Sequence, residues 1–304
     1  MHNSNDLYAY REGITTDDAR ASVMLVSLGG FVDAGHTQAL LAAHILAHHE
    51  HQLIATFDAD QLVDYRSRRP MMGFESDRYT SYDVPTIELH RVLDLDGTPF
   101  LMLTGVEPDY QWERVVDAVR EIVVALGVDL TVLAHGVPMG VPHTRPIGVT
   151  VHGTNPALVG ESASPFGKLL VPGSIEALLE LRFGEAGRNV VGYAVHVPHY
   201  LAQLAQPGAS LVALERIAAS TGLRLERAEL EMGAAKAAES LRSELADRED
   251  VAQVVAALEQ QYDAQYGQVQ RRGLTAAAEA ELPTADEIGA EAEAFLRGLG
   301  DDEQ

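Results

Sequence analysis

Short apolar runs alternate with stretches of helical periodicity over the first 225 residues. The run at 23–28 ends in two glycines and predicts a buried strand, and the apolar spacing after it predicts a helix over 33–49 capped by Asp33. A second strand at 53–57 completes a strand–helix–strand start, which is typical of a right-handed βαβ unit. The same patterns predict further strands at 86–92, 100–104, 130–134, 147–151 and 189–196, and helices at 110–126, 174–181 and 208–220. Because strands and helices interleave, we expect an α/β fold in three layers with a mostly parallel sheet.

Three stretches break this alternation. Asp94-Leu95-Asp96-Gly97 separates the strands at 86–92 and 100–104 and predicts a hairpin turn. No period covers residues 58–85, so we predict a long ordered loop there. Residues 135–146 carry three prolines and predict a stiff loop directly after a buried strand.

Beyond residue 225 the strand patterns stop and the chain becomes strongly acidic. Apolar residues near helical spacing over 241–266 predict an amphipathic helix or a broken pair of helices. Thr284-Ala285-Asp286-Glu287 is a capping box, and the apolar stripe at 288–299 predicts a helix behind it. We therefore divide the chain into an α/β domain over 1–225 and an acidic helical C-terminal extension over 226–304.

The net charge of the chain limits the classes of partner that it can bind. The chain has 22 lysines and arginines against 45 acidic residues, a formal net charge of −23. That balance argues against non-specific binding to nucleic acid and against docking on an anionic membrane, since both need a basic surface. No apolar run is long enough to span a bilayer and the first residues lack the pattern of a secretory signal, so we expect a cytoplasmic protein. The chain has no cysteine, which excludes disulfides and thiolate chemistry.

The carboxyl ends of the predicted strands hold polar residues that could bind a ligand or a partner, because α/β proteins place their sites at this edge of the sheet. The stiff loop at 135–146 offers imidazoles, a hydroxyl and a guanidinium, and Pro198-His199-Tyr200 follows another strand. The candidates here are His135, Met139, His143, Thr144, Arg145, His199 and Tyr200. The alternative is a rigid structural crossover or a subunit contact.

Further candidates flank the first strands. Gly30 could expose backbone N–H groups to an anion, but a simple strand-to-helix turn is the favoured explanation. The segment Asp64-Tyr65-Arg66-Ser67-Arg68-Arg69-Pro70 is the densest basic patch, and arginine suits carboxylates or phosphates. The favoured alternative is salt bridging to Asp58, Asp60 and Asp64, within the subunit or across an interface. The binding candidates from these segments are Gly30, Asp33, Tyr65, Arg66, Arg69 and Glu107.

The sequence assigns no catalytic residue, metal or cofactor. His44 and His48 are one helical turn apart and could bind zinc, but no third ligand is specified, so we expect no metal. Carboxylates are plentiful, yet no nucleophile is paired with a base by its spacing. We expect no cofactor, because the chain lacks the glycine-rich phosphate-binding motifs.

Several loop motifs occur together in the chain. They are Phe31-Val32-Asp33-Ala34-Gly35, Asp64-Tyr65-Arg66-Ser67-Arg68-Arg69-Pro70, Gly105-Val106-Glu107-Pro108 with Trp112, Val141-Pro142-His143-Thr144-Arg145-Pro146, and Val197-Pro198-His199-Tyr200. In combination they resemble the PAC2 family of proteasome assembly chaperones, in its actinobacterial form, over about residues 20–225. The acidic helical extension is similar to that form too.

The resemblance implies a phosphorylase/hydrolase-like, nucleoside-phosphorylase-like sheet domain that self-associates, with a trimer as one form. It implies proteasome subunits as partners. The ending Asp301-Asp302-Glu303-Gln304 departs from the hydrophobic–Tyr–any ending of some proteasome-binding relatives. Three functions stay open: a non-enzymatic assembly-chaperone-like protein, a phosphorylase/hydrolase-like enzyme or small-molecule-binding protein that uses the sheet-edge histidines and arginine, and a scaffolding oligomer.

Overall fold

An eight-stranded sheet forms the centre of the protein. The computed structural model describes residues 6–160, 168–245 and 252–264. The sheet strands are β1 (Tyr8–Tyr10), β2 (Val23–Gly29), β3 (His51–Phe57), β6 (Ile87–Leu93), β7 (Pro99–Val106), β8 (Leu130–Met139), β9 (Val149–Gly153) and β10 (Asn189–Pro198). The helices are α1 (Thr37–His48), α2 (Ala59–Leu62), α3 (Trp112–Leu126), α4 (Pro156–Val159), α5 (Ile175–Glu185), α6 (Pro207–Thr221) and α7 (Ala228–Leu245).

The sheet is mixed, with a parallel centre. Its strand order is β1-β3-β6-β7-β2-β8-β10-β9. The four neighbours β7, β2, β8 and β10 run parallel, and the outer strands join them antiparallel. The predicted parallel sheet therefore holds for the central strands, and the hairpin predicted around residues 94–97 is confirmed as the β6–β7 turn.

Helices cover both faces of the sheet, which confirms the α/β prediction. One apolar core packs α3 and α5 against one face, and the second packs α1 and α6 against the other. The valine and isoleucine stripe of α3 is buried as its spacing predicts, and Gly127 ends this helix in the left-handed conformation with φ of 73°. Leu230 of α7 belongs to the second core, so α7 packs on the same body as α6.

Three predictions about individual segments were wrong. The stretch at 58–85 is not one long loop, because it contains α2 and a separate hairpin of β4 (Met72–Glu75) and β5 (Arg78–Tyr82). The predicted loop at 135–146 begins later, since β8 continues to Met139 and pairs with β10 along its whole length. The helix predicted to begin at Asp33 begins at Thr37, after a single 3-10 turn at Ala34–His36.

The helices predicted beyond residue 225 are confirmed in part. Helix α7 begins before the predicted helix at 241–266 and overlaps its first five residues, and residues 252–264 are helical. The capping box at 284–287 and the stripe at 288–299 lie outside the described residues. The chain divides into compact units at Met1–Val255 and Ala256–Gln304, while the domain boundary at residue 225 stays a prediction. Within the described part, no helix is both long and apolar enough to cross a membrane.

Ser174 caps α5 as its sequence position predicts, with Oγ accepting from the N–H of Ala177 at 3.1 Å. Replacing Ser174 by alanine leaves that N–H without its capping partner. We expect the Ser174→Ala variant to lose about 1 kcal/mol of unfolding free energy in denaturant titrations. Ser240→Ala on α7 is the matched control, and an equal loss there would contradict the capping argument.

Candidate functional site

The carboxyl ends of β2 and β7 meet in a compact group around Glu107. This side chain is buried, and its Oε1 accepts the N–H of Ile175 at 2.8 Å, the first residue of α5. Its own N–H donates to the carbonyl of Gly29 at 3.0 Å. A Cβ at Gly30 would lie 3.0 Å from Glu107 Oε2, so a residue without a side chain lets the carboxylate lie against this turn. Two predicted candidates, Gly30 and Glu107, are therefore adjacent.

Glu176 is a buried carboxyl that sequence reasoning did not single out. Its Oε1 accepts the N–H of Leu28 at 2.9 Å and the amide of Gln38 at 2.6 Å. Burial raises the pKa of Glu176 to about 8. The two hydrogen bonds lower this pKa, whereas the negative charges of Glu107 and Asp33 raise it. At pH 7 the carboxyl is therefore mostly protonated. An acid in the first turn of a helix usually lies in solvent near the helix dipole, so the sequence carried no signal for this role.

Asp33 holds the start of α1 in place. Its Oδ1 accepts the N–H of Gln38 at 2.8 Å, and its Oδ2 accepts the N–H of Ala39 at 3.1 Å. The carboxylate thus caps α1 from outside the helix, four residues before its first residue. Asp33, Glu107 and Glu176 together bind backbone N–H groups of α1, α5 and β2, so these carboxyls fix the loops at this edge.

The basic patch reaches this group through Arg68. Its Nη1 donates to the carbonyl of Glu107 at 2.8 Å, and its Nη2 lies 3.0 Å from Asp109 Oδ1. The side chains of Arg66 and Arg69 are exposed, and Tyr65 donates its hydroxyl to Asp60 at 2.5 Å. Arg68 thus forms a salt bridge, but with Asp109 and not with Asp58, Asp60 or Asp64, the aspartates of the sequence-based alternative.

Arg68 is half-buried, so removing it has a measurable but modest cost. We expect Arg68→Ala to lose about 1 kcal/mol of unfolding free energy, because a backbone hydrogen bond and an ion pair are lost together. Arg78→Ala removes an exposed pair with Asp77 and serves as the control, with little or no loss in the same denaturant titration. Equal losses in the two variants would contradict this reading.

A second group joins the ends of β8 and β10. The Tyr200 hydroxyl accepts the backbone N–H of His143 at 3.0 Å and lies 2.8 Å from Nδ1 of the same residue. His199 Nδ1 lies 3.4 Å from the carbonyl of Met139, and its ring packs edge-on against Tyr200. The structure therefore brings four predicted candidates together: Met139, His143, His199 and Tyr200.

The remaining candidates lie nearby on separate elements. His135 is on β8. Burial lowers the pKa of His135 and the neighbouring His152 lowers it further, while the charges of Asp33 and Glu180 oppose this shift. His152 Nδ1 lies 2.7 Å from Glu180 Oε2 on α5. Two further candidates, Thr144 and Arg145, lie in the loop between β8 and β9, where Thr144 is exposed and Arg145 half-buried.

The β4–β5 hairpin carries an exposed apolar surface that the sequence analysis missed. We call it the hairpin surface, and its side chains are Met71, Met72, Phe74, Tyr79 and Tyr82, with 76%, 51%, 58%, 67% and 44% of their area exposed. The rings of Phe74 and Tyr79 are 5.1 Å apart, edge to face. Aromatic residues on both sides of the turn at Ser76-Asp77 were the signal for a hairpin.

Comparison with known proteins places these features in context. The profile of the PAC2 family matches residues 27–245. A Mycobacterium tuberculosis protein of unknown function is 43% identical, with a TM-score of 0.83 over 88% of this chain and 92% of that chain. One of unknown function from Corynebacterium glutamicum is 39% identical, with a TM-score of 0.81 over 86% and 98%.

A more distant structure shares the fold alone. It is a Mycobacterium tuberculosis proteasome-assembly chaperone homologue, 22% identical, with a TM-score of 0.71 over 77% of this chain and 99% of that chain. No curated protein matches the chain.

Proposed function

The chain belongs to the PAC2 family, and from that premise we propose that it is a non-enzymatic, protein-binding factor of the assembly-chaperone type. The hairpin surface carries this proposal. Its five large apolar side chains are each at least 44% exposed on a two-stranded hairpin, which is marginally stable alone in water. Contiguous exposed apolar patches of this kind mark protein interaction sites. A bound protein would cover these side chains and stabilise the hairpin at once.

Proteasome subunits are the partners we propose. The family supports this choice, and so does the shared fold with the proteasome-assembly chaperone homologue of Mycobacterium tuberculosis. Self-association, with a trimer as one form, belongs to the same proposal. The buried carboxyls at the sheet edge would then have a structural role, because they hold the loops and helices that frame the sheet.

Capture from a native host tests the proposal. Tagged full-length protein, purified from a proteasome-containing actinobacterium after mild cross-linking, should recover proteasome subunits above the level of an untagged control. Recovery of copies of the chain alone would limit the proposal to self-association. If neither is recovered across growth phases, the protein-binding proposal is wrong.

A second candidate function is that of a phosphorylase/hydrolase-like enzyme or a small-molecule-binding protein, with its site at the carboxyl ends of the sheet strands. The observation that favours it is the His143–Tyr200–His199 group at the carboxyl ends of parallel strands, where α/β proteins bind ligands. A tight ligand raises the melting temperature by mass action. A metabolite-library melting screen should therefore find a stabilising compound whose effect is lost in His143→Ala if this alternative holds.

A further inference from the structure

Two histidines one turn apart on α1 face the segment that leads into α7. The rings of His44 and His48 lie with centroids 4.5 Å apart. Glu226 brings a carboxylate to them, and its Oε2 lies 3.2 Å from His44 Nε2. One ligand atom from each of these three residues lies within 4.8 Å of the others. Glu229 adds a second carboxylate, with Oε2 2.5 Å from His48 Nε2.

The imidazole nitrogens of this cluster face oxygen acceptors. His48 Nδ1 lies 2.9 Å from the carbonyl of His44 and can donate to it, and Nε2, the other ring nitrogen, lies against the Glu229 carboxylate. His44 Nε2 lies 2.8 Å from the carbonyl of Glu226 and can give its single proton to that oxygen. Glu226 Oε2 is then buried without a hydrogen bond in the described structure. A cation among these groups would satisfy lone pairs that the protein's own donors leave over.

Surrounding contacts hold the carboxylate in position. Ala228 N–H donates to Glu226 Oε1 at 2.7 Å, which leaves Oε2 directed at the histidines. His49 fixes the backbone, since its Nε2 accepts the N–H of Glu226 at 3.1 Å while its Nδ1 lies 3.0 Å from the carbonyl of Leu93. Metal-binding histidines are typically oriented by such a bond from the second ring nitrogen, as in His48.

We propose that His44, His48, Glu226 and Glu229 form a structural site for a divalent transition metal, with zinc as the ion that fits best. Imidazole and carboxylate ligands suit zinc, whereas magnesium and calcium prefer oxygen ligands alone. A tetrahedral ion with bonds of about 2.1 Å needs ligand atoms about 3.4 Å apart, and the atoms of His44, His48 and Glu226 lie within 4.8 Å of one another, so small side-chain rotations bring these three to that spacing. Glu229 would supply the fourth ligand through the carboxylate that already contacts His48. The ion displaces the proton from His44 Nε2.

Four protein ligands leave no open coordination position, which is the arrangement of structural zinc sites. Two ligands come from α1 and two from the segment around the start of α7. The ion would therefore tie α7 to the sheet domain. The third ligand was invisible in the sequence, because Glu226 is 182 residues from His44 along the chain.

Zinc titration of the full-length protein tests this site. After stripping with a chelator, the protein should bind one zinc per chain in competition with a chromogenic chelator at pH 7.5, and zinc should raise its melting temperature. His48→Gln should weaken binding by about 100-fold or more, and Glu229→Gln by about 10-fold, because direct ligands matter at least as much as their supporting contacts. His48 is partly exposed, so the metal-free variant should melt like the metal-free wild type.

His51→Gln is the matched control, since His51 is an exposed histidine on β3 outside the cluster. Cobalt titration gives a second readout, because a tetrahedral site produces intense visible bands that His48→Gln should abolish. The proposal is overturned if the wild type binds less than one tight zinc per chain, if His48→Gln binds as tightly as the wild type, or if His51→Gln binds as weakly as His48→Gln.

Discussion

Replacing Glu176 by glutamine is expected to make the protein more stable at pH 8 by up to about 5 kcal/mol. The carboxyl is fully buried, with a pKa near 8 in the folded protein against 4.5 as its ordinary value. Glutamine keeps an oxygen that can accept from Leu28 and Gln38, and it carries no charge at any pH. The amide therefore retains the hydrogen bonds and removes the cost of burying an anion.

The effect of Glu176 on the free energy of unfolding depends on pH. The folded protein holds the Glu176 proton more tightly than the unfolded chain, so this residue lowers stability as pH rises from about 4.5 to about 8 and changes nothing further above that. Denaturant titrations across this range should show wild type and Glu176→Gln equal near pH 4 and diverging upward. Glu185→Gln, on an exposed part of α5, is the control and should track the wild type. Parallel curves for wild type and Glu176→Gln would contradict the buried neutral carboxyl.

The double variant Phe74→Ser/Tyr79→Ser is expected to lose most of the partner that the wild type captures. Aromatic side chains at the centre of an interface typically contribute more than 1 kcal/mol each, so the pair should cost at least 30-fold in affinity. Quantitative capture from the same host, with equal amounts of bait, measures the ratio. The folded body should be unaffected, because both side chains are more than half exposed.

Val124→Ser is the matched control for this variant. Val124 is 57% exposed on α3, so the substitution removes a similar kind of exposed apolar side chain outside the hairpin surface. It should retain wild-type capture, and its melting temperature should match that of the double variant within a few degrees. If the double variant still captures the partner, the partner does not bind through the hairpin surface.

Local patterns predicted most of the central body. The runs at 23–28 and 130–134 form β2 and β8 because strands buried on both faces are continuously apolar, and the stripe of α3 is buried because its spacing fits one helical face. The prediction stopped β8 five residues early, at Ala134. Pairing with β10 carries the strand on through His135 and Pro138, and one sequence does not show that partner.

The candidate site was only partly predictable, because its key contacts are distant in sequence. Glu176 meets Leu28 across 148 residues, and Glu226 meets His44 across 182. Each of these acids looks like a surface residue to any local rule. The hairpin surface was missed for a different reason. Its aromatic residues follow no burial pattern, since each stays at least 44% exposed within the described chain.

Site-specific photo-crosslinking at the position of Tyr79 tests the central claim most directly. A photo-reactive amino acid there, in the full chain expressed in its native host, should give a defined covalent adduct to another protein on illumination. The adduct should contain a proteasome subunit or a second copy of the chain, and the same probe at the position of Val124 should give none. Absence of any protein adduct at the Tyr79 position, or equal adducts at both positions, would contradict protein binding through the hairpin.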